Sequence, residues 1–170
     1  MKKLLFLLLT ITFVYAKGGI DIAKVLKLSF SSGATVTKKQ FNLSPKEMKK
    51  VQKSAKAQLD SNVIRMYIVR KGKKVEGYGV LIVQTVRTKK AAVLYIMDSD
   101  STIKSIEILA FREPSEYKPN KAWRGVFEGK TKEDNLFSGK GIPTISGATL
   151  SARAIADASR IALSIVEMYK

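Results

Sequence analysis

The sequence contains no cysteine and no histidine. Without cysteine the chain can form no disulfide and can hold neither a cysteine-ligated iron–sulfur cluster nor a thiolate-ligated haem. Without histidine it lacks the commonest metal ligand and the usual general base, which excludes a serine or cysteine triad of the ordinary kind. A nucleophilic serine or threonine would need a lysine as its base, and no lysine is singled out by its spacing. Any chemistry must come from hydroxyls, carboxylates, lysines or a bound cofactor.

Acidic residues are also scarce, at 14 against 31 basic residues. Setting aside the two lysines at positions 2 and 3 leaves 29 basic against 14 acidic residues, a net charge of +15. Such a charge attracts phosphate cofactors, acidic proteins, phospholipid head groups or nucleic acid, although it is also a common means of staying soluble. The lysines are spread without interleaved aromatic residues, and this pattern, together with the predicted export, argues against nucleic acid.

Only one long apolar run is present, from Leu4 to Val14. Two lysines precede it and Ala16 follows it, which is the three-part layout of a secretory signal. The run is about half of the roughly 20 residues that a membrane span needs. We therefore predict a signal peptide over 1–16 and a mature chain over 17–170 in the periplasm or another extracytoplasmic space. An uncleaved anchor, which would leave the protein membrane-associated, is the alternative.

The mature length suits one domain, and its patterns favour an α+β fold. Ser44, Pro45 and Glu47 form a capping box with proline at the first helical position, which predicts a helix over 45–58. The run 20–30 fits a helix or a strand equally well. β-prone segments with short connections predict antiparallel pairing; they cover 34–43, 62–70, 76–87, 91–98 and 103–111.

The rest of the chain is predicted to be loop-rich, with one short helix near 121–127 and a closing amphipathic helix over 150–169. The predicted fold is therefore a single α+β domain, an antiparallel sheet with helices packed on it. No segment of domain size is repeated.

The letters SGAT occur twice, and only the second copy precedes a helix. At that copy Gly147 and Ala148 leave room for a ligand, the helix start offers free N–H groups, and Arg153 lies one turn further on. Thr149 places a hydroxyl at the same point, so a phosphate site is one interpretation. The other is that Ser146 or Thr149 simply caps the helix. The first copy, at 32–35, has no helix after it and is interpreted as strand or turn.

Three segments resemble a small stand-alone branch of the FMN-binding domain family, in the same order along the chain: TVRTKKAAVLYIMD (85–98), LAFREPSEYKPNKAWRGVFEGK (109–130) and SGATLSARAIADASRIAL (146–163). That family includes exported flavoproteins related to the flavin subunits of Rnf-type and sodium-pumping redox complexes. Its S-G-A-T-x-[ST] motif carries FMN through a phosphoester that a flavin transferase installs.

The resemblance implies that FMN is the cofactor and that Thr149 is its attachment residue, with Ser151 in the trailing hydroxyl position. The implied cofactor-binding set is Ser146, Gly147, Ala148, Thr149, Ser151, Arg153, Glu113 and Tyr117, with no catalytic and no metal-binding residue. Glu113 and Tyr117 belong to the EPSEY stretch. That stretch is interpreted either as a loop against the flavin, with Tyr117 or Trp123 stacked on its ring, or as a proline-set turn with an aromatic anchor.

Two positions depart from the family pattern. Members often carry an acidic residue shortly before SGAT, where this chain has Pro143 and Thr144. The stand-alone branch often has histidine before TVRT, where this chain has Gln84.

The leading hypothesis is an electron carrier rather than a stand-alone enzyme, with a membrane-bound redox protein and the transferase as partners. The alternative is a cofactor-free basic module that binds anionic partners or lipid head groups.

Overall fold

The computed structural model describes residues 20–170, so the predicted signal peptide lies outside the described residues. Residues 20–170 form four α-helices and five β-strands. In chain order they are α1 Ile22–Ser29, β1 Thr35–Asn42, α2 Pro45–Ala55, β2 Val63–Lys71, β3 Lys74–Thr85, β4 Lys90–Asp98, β5 Ile103–Phe111, α3 Lys121–Gly125 and α4 Thr149–Tyr169, with a 3₁₀ turn at Ser115–Tyr117 before α3.

The five strands form one sheet in the order β1-β2-β3-β4-β5, and every neighbouring pair is antiparallel. This is the meander that the short connections predict, and the single-domain α+β fold is confirmed. β3 runs two residues earlier than expected at both ends. Gly72, with φ of 58°, allows a tight turn from β2, and residues 87–89 turn away from the sheet because their N–H groups bind Glu113.

The starts of α1 and α2 follow local capping chemistry. The capping box of α2 is confirmed: Ser44 Oγ accepts the Glu47 N–H at 3.3 Å, and the Ser44 N–H donates to Glu47 Oε2 at 2.8 Å. The helix ends earlier than predicted because Lys56 takes a left-handed conformation, with φ of 48°. The ambiguous run 20–30 contains α1, where Asp21 Oδ1 accepts the Ala23 N–H at 3.0 Å.

The main core lies between one face of the sheet and helices α2 and α4. Thirteen of the 21 residues of α4 are buried, so this helix is covered on most of its circumference. Tyr95, fully buried on β4, donates its hydroxyl to the Ile155 carbonyl at 3.1 Å. This bond, together with apolar packing, fixes the position of α4 along the sheet.

A second, smaller cluster lies on the other face, where α1 packs. Gly79 permits this approach, because a Cβ there would lie 2.9 Å from Leu26 Cδ2. Within residues 20–170, no helix combines the length and the apolar content that crossing a bilayer requires.

Candidate functional site

The start of α4 is not capped by a side chain. Its N-cap residue is Ala148, and no side-chain oxygen of the described residues accepts a hydrogen bond from the first turn. The interpretation that Ser146 or Thr149 caps the helix is therefore wrong. The backbone N–H groups of Thr149, Leu150 and Ser151 have no acceptor among residues 20–170, and the first paired one is that of Ala152, at 3.1 Å from the Ala148 carbonyl. Free N–H groups and the positive end of a 21-residue helix favour an anion at this point.

The loop that leads into α4 is held by a short turn. The Ala148 N–H donates to the Ile145 carbonyl at 2.9 Å, and Gly147 has φ of 74°, a conformation that favours glycine. A Cβ on Gly147 would meet no atom within 4 Å. The glycine is thus required by its backbone angle, and the space beside it is open.

The segment before this turn is fixed by packing. A Cβ on Gly141 would lie 1.6 Å from the Asn135 carbonyl oxygen, so only glycine at position 141 allows this part of the loop to pack against Asn135. The Trp123 indole donates its Nε1–H to the Pro143 carbonyl at 3.0 Å and stands edge-on to Phe127. Trp123 is therefore the aromatic anchor of the approach to SGAT, and its ring is half-buried.

Three polar side chains accompany the free N–H groups. Thr149 and Arg153 are exposed. Ser151 is fully buried, and its hydroxyl has no hydrogen-bond partner in the part of the chain that the structure describes. An unpaired buried hydroxyl costs about 1–3 kcal/mol and is rare in native proteins. Ser151 is thus a polar group at this helix start, two residues from Thr149, that the described residues leave unpaired.

A cleft of about 230 Å³ opens beside this helix start, between the end of β3 and the first two turns of α4. Gln84 lies at its base: the side chain is 7% exposed and donates Nε2–H to the Ala154 carbonyl at 2.6 Å. Gln84 thus holds the end of β3 against α4, which gives that position a structural role in this chain. The cleft is lined by Gln58, Asp60, Gln84, Thr85, Val86, Leu150, Arg153, Ala154 and Asp157.

Glu113 and Tyr117 brace the turn between β3 and β4. The Glu113 carboxylate accepts the N–H groups of Thr88 at 2.6 Å, Lys89 at 2.7 Å and Arg87 at 3.0 Å. These backbone bonds, that of Lys89 foremost, lower the pKa of Glu113. The Arg87 guanidinium lies 4.1 Å from the centre of the Tyr117 ring.

The structure therefore groups six of the eight predicted residues at one helix start. No hydrogen bond or ring contact within residues 20–170 joins Glu113 or Tyr117 to 146–153. Both contact Arg87, which follows the cleft residue Val86, so they lie near the cleft only through this turn. Their contacts support the interpretation of EPSEY as a structural turn.

Sequence reasoning missed Arg160, which fixes α4 to its surroundings. Its side chain is 9% exposed and donates to the carbonyls of Ala55 and Leu136, each at 2.7 Å, and to Asp157 Oδ1 at 2.6 Å. The spacing of three residues from Asp157 on one helix was the only local signal.

The comparison with protein families identifies the same region. Residues 88–164 match the model of the FMN-binding domain. The match includes Glu113, Tyr117 and the second SGAT, whereas the first SGAT, at 32–35, lies outside it. No curated protein matches the chain. The match favours the flavoprotein interpretation over the cofactor-free one. Residues 88–164 therefore match an FMN-binding domain, and this match supports FMN as the cofactor of the chain.

Proposed function

We propose that this protein is an exported electron-transfer flavoprotein whose FMN is bonded through its phosphate to Oγ of Thr149. The observation that carries the proposal is the uncapped start of α4. An exposed threonine hydroxyl lies there beside three N–H groups and the Ser151 hydroxyl, all without a hydrogen-bond partner among residues 20–170.

The attachment step balances as a transfer from FAD. The Thr149 oxygen forms a bond to the phosphorus of the FMN half, the bond between the two phosphates breaks, and AMP leaves with the bridging oxygen. The hydroxyl proton passes to a base of the transferase or to solvent. The protein thereby gains one FMN less one water, and no oxidant or reductant is consumed.

The residues of the chain would then act as a holder for this group. The N–H groups of Leu150 and Ser151 point out of the helix start, and Arg153 is exposed one turn further on, so both can face phosphate oxygens. Bound FMN supplies reversible electron transfer. Positive charge from Arg153 and from the helix dipole favours its more negative, reduced form.

Export, the transferase and a membrane-bound redox partner are part of this proposal. A covalent link suits an extracytoplasmic carrier, because a dissociable cofactor would be lost by diffusion there. The cleft beside Thr149 is open to solvent, and Leu150, which lines it, is 46% exposed, so a redox partner can approach the flavin there.

The test is intact mass and visible absorption of protein purified from a host that exports it and contains the transferase. We expect yellow protein with the mass of one FMN less one water added. The variant Thr149→Ala should be colourless and unmodified, whereas Thr35→Ala, which changes the same letter of the first SGAT, should remain fully loaded. Unmodified wild-type protein from its own organism, or a loaded Thr149→Ala variant, would contradict the attachment at Thr149.

A further inference from the structure

The outward side of α1 and the turn after it form a surface that the flavin site does not use. We call this the α1 surface and define it by Ile20, Lys24, Lys27, Leu28 and the turn 31–35. Leu28 is 80% exposed and Ile20 is 54% exposed, the two largest values among the exposed large aliphatic side chains of residues 20–170. The two lysines, Leu28 and the turn line one shallow depression of about 520 Å³.

This arrangement follows from how α1 packs. Leu26 is fully buried against the sheet, in a cluster with Ile22 and Val25. Helical spacing then turns Lys24, Lys27 and Leu28 together toward solvent. Mixed lysine and leucine on one exposed helix face is the pattern of a helix that lies at a membrane surface.

The neighbouring β2–β3 hairpin adds four cations to the same end of the molecule. Thr35 pairs with Arg70 at the start of β1, and Ser31 Oγ donates to Glu76 at 2.6 Å, which brings the hairpin against the turn 31–35. The hairpin carries Arg70, Lys71, Lys73 and Lys74.

Four acidic residues lie near this end. Asp21 caps α1, Glu76 binds Ser31, Asp98 lies opposite Gly77 at the end of β4, and Asp100 lies in the turn that follows β4. Lys104 adds another positive charge, with Nζ 5.4 Å from the centre of the Phe30 ring. The seven cations named here outnumber the four acidic residues, so this end carries a net positive charge.

We propose that the α1 surface docks on an anionic lipid bilayer, with its lysines on lipid phosphates and the Leu28 side chain in the interfacial region. Lysine can extend its charge to the head groups while its apolar stem lies along the boundary. Charge complementarity supports this partner, because each lysine near an anionic bilayer contributes appreciable attraction.

Docking through α1 would leave the flavin site accessible. The hairpin lies at the start of β3, and the cleft beside Thr149 lies at its end. β3 has 12 residues, so its two ends are separated by roughly 35 Å at the usual rise per strand residue. The proposal does not depend on flavin attachment, because none of its residues contacts the cleft.

The test is flotation of the exported protein with vesicles of phosphatidylcholine alone or mixed equally with phosphatidylglycerol. We expect binding to the mixed vesicles that weakens with added salt. The double variant Lys24→Gln/Lys27→Gln should bind roughly 30-fold more weakly. The control Lys46→Gln/Lys49→Gln removes two exposed lysines at the same spacing on α2 and should bind as the wild type does. Leu28→Asn, which changes no charge, should bind about fivefold more weakly.

Hydrogen exchange of the vesicle-bound protein identifies the residues that contact the lipid. It thereby distinguishes binding through the α1 surface from binding through any leader that the protein retains. Protection is expected in residues 22–35 and not in α2. Equal losses in the two lysine pairs, unchanged binding of Leu28→Asn, or protection outside the α1 surface would overturn the proposal. A colourless protein that still binds in this pattern would contradict only the flavin attachment.

Discussion

Replacing Ser151 tests whether the start of α4 is built for a ligand. Ser151 and Ser159 lie on the same helix, both are fully buried, and they differ in hydrogen bonding. Ser159 Oγ donates to the Ala156 carbonyl at 2.8 Å, whereas Ser151 Oγ has no partner among the described residues. The pair Ser151→Ala and Ser159→Ala therefore compares an unpaired hydroxyl with a paired one in otherwise matched surroundings.

The expected energies have opposite signs. Each substitution gains about 0.5 kcal/mol of helix propensity, and this gain cancels in the comparison. Removing the unpaired hydroxyl should relieve a desolvation penalty of about 1–3 kcal/mol, while removing the paired one should cost about 1 kcal/mol. The free energies of unfolding of the two variants should thus differ by about 2–4 kcal/mol, with Ser151→Ala the more stable.

The assay is urea unfolding of flavin-free protein, made without the transferase, at constant m-value. Repeating it on loaded protein adds the functional half of the test. If the Ser151 hydroxyl binds the flavin phosphate, Ser151→Ala should stabilise the flavin-free form and lose that advantage in the loaded form. Equal stabilities of the two flavin-free variants would refute the reasoning, because the hydroxyl would then have a partner in solution.

Three further predictions concern the elements that position the site. Gly141→Ala should destabilise the protein by about 1–3 kcal/mol, because its Cβ would overlap the Asn135 carbonyl. Gly147→Ala has open space beside it and should cost about 1–2 kcal/mol from its backbone angle alone. Only Gly141→Ala should shift the Trp123 fluorescence. Tyr95→Phe should lower the free energy of unfolding by about 1 kcal/mol, through loss of the bond to Ile155, measured by urea unfolding; an unchanged value would contradict the bond. Glu113→Gln should lower Tm at neutral pH. Since the folded-state pKa of Glu113 is lowered, its contribution to stability is complete above the ordinary glutamate pKa and disappears as the pH falls through the lowered value. A Tm difference between Glu113→Gln and wild type that stays constant with pH would contradict this role of the carboxylate.

Local chemistry made several elements predictable. The capping box at Ser44 and Glu47 needs only residues three apart, and it predicted the start of α2 correctly. The strand pattern of β4 and β5 needs only alternation and turn residues, and it predicted the bounds of both strands to within a residue. The position of SGAT at a helix start is local in the same sense. Its assignment as a flavin motif came from the family resemblance, and the family match bears out FMN as the cofactor.

Other features were decided by contacts between residues distant in the chain. The apolar spacing of the run 20–30 left its structure open; Asp21 caps the helix locally, and the helix is held where Leu26 packs over Gly79 on the far face of the sheet. Nothing near Gln84 in the sequence indicates that it binds the Ala154 carbonyl, 70 positions away.

The sequence by itself determined the order of the elements, the absence of thiol and imidazole chemistry, and the residue that offers a hydroxyl at the start of the last helix. Only the tertiary structure decided that, within the part of the chain it describes, this helix start has no side-chain cap and the buried Ser151 hydroxyl has no partner, and that Glu113 braces a turn. The physical reason is that a hydrogen bond is made or left unmade according to which groups the packed chain brings within about 3 Å of each other. That proximity is set by the register of the sheet and the seating of α4, to which residues far apart in the sequence contribute together.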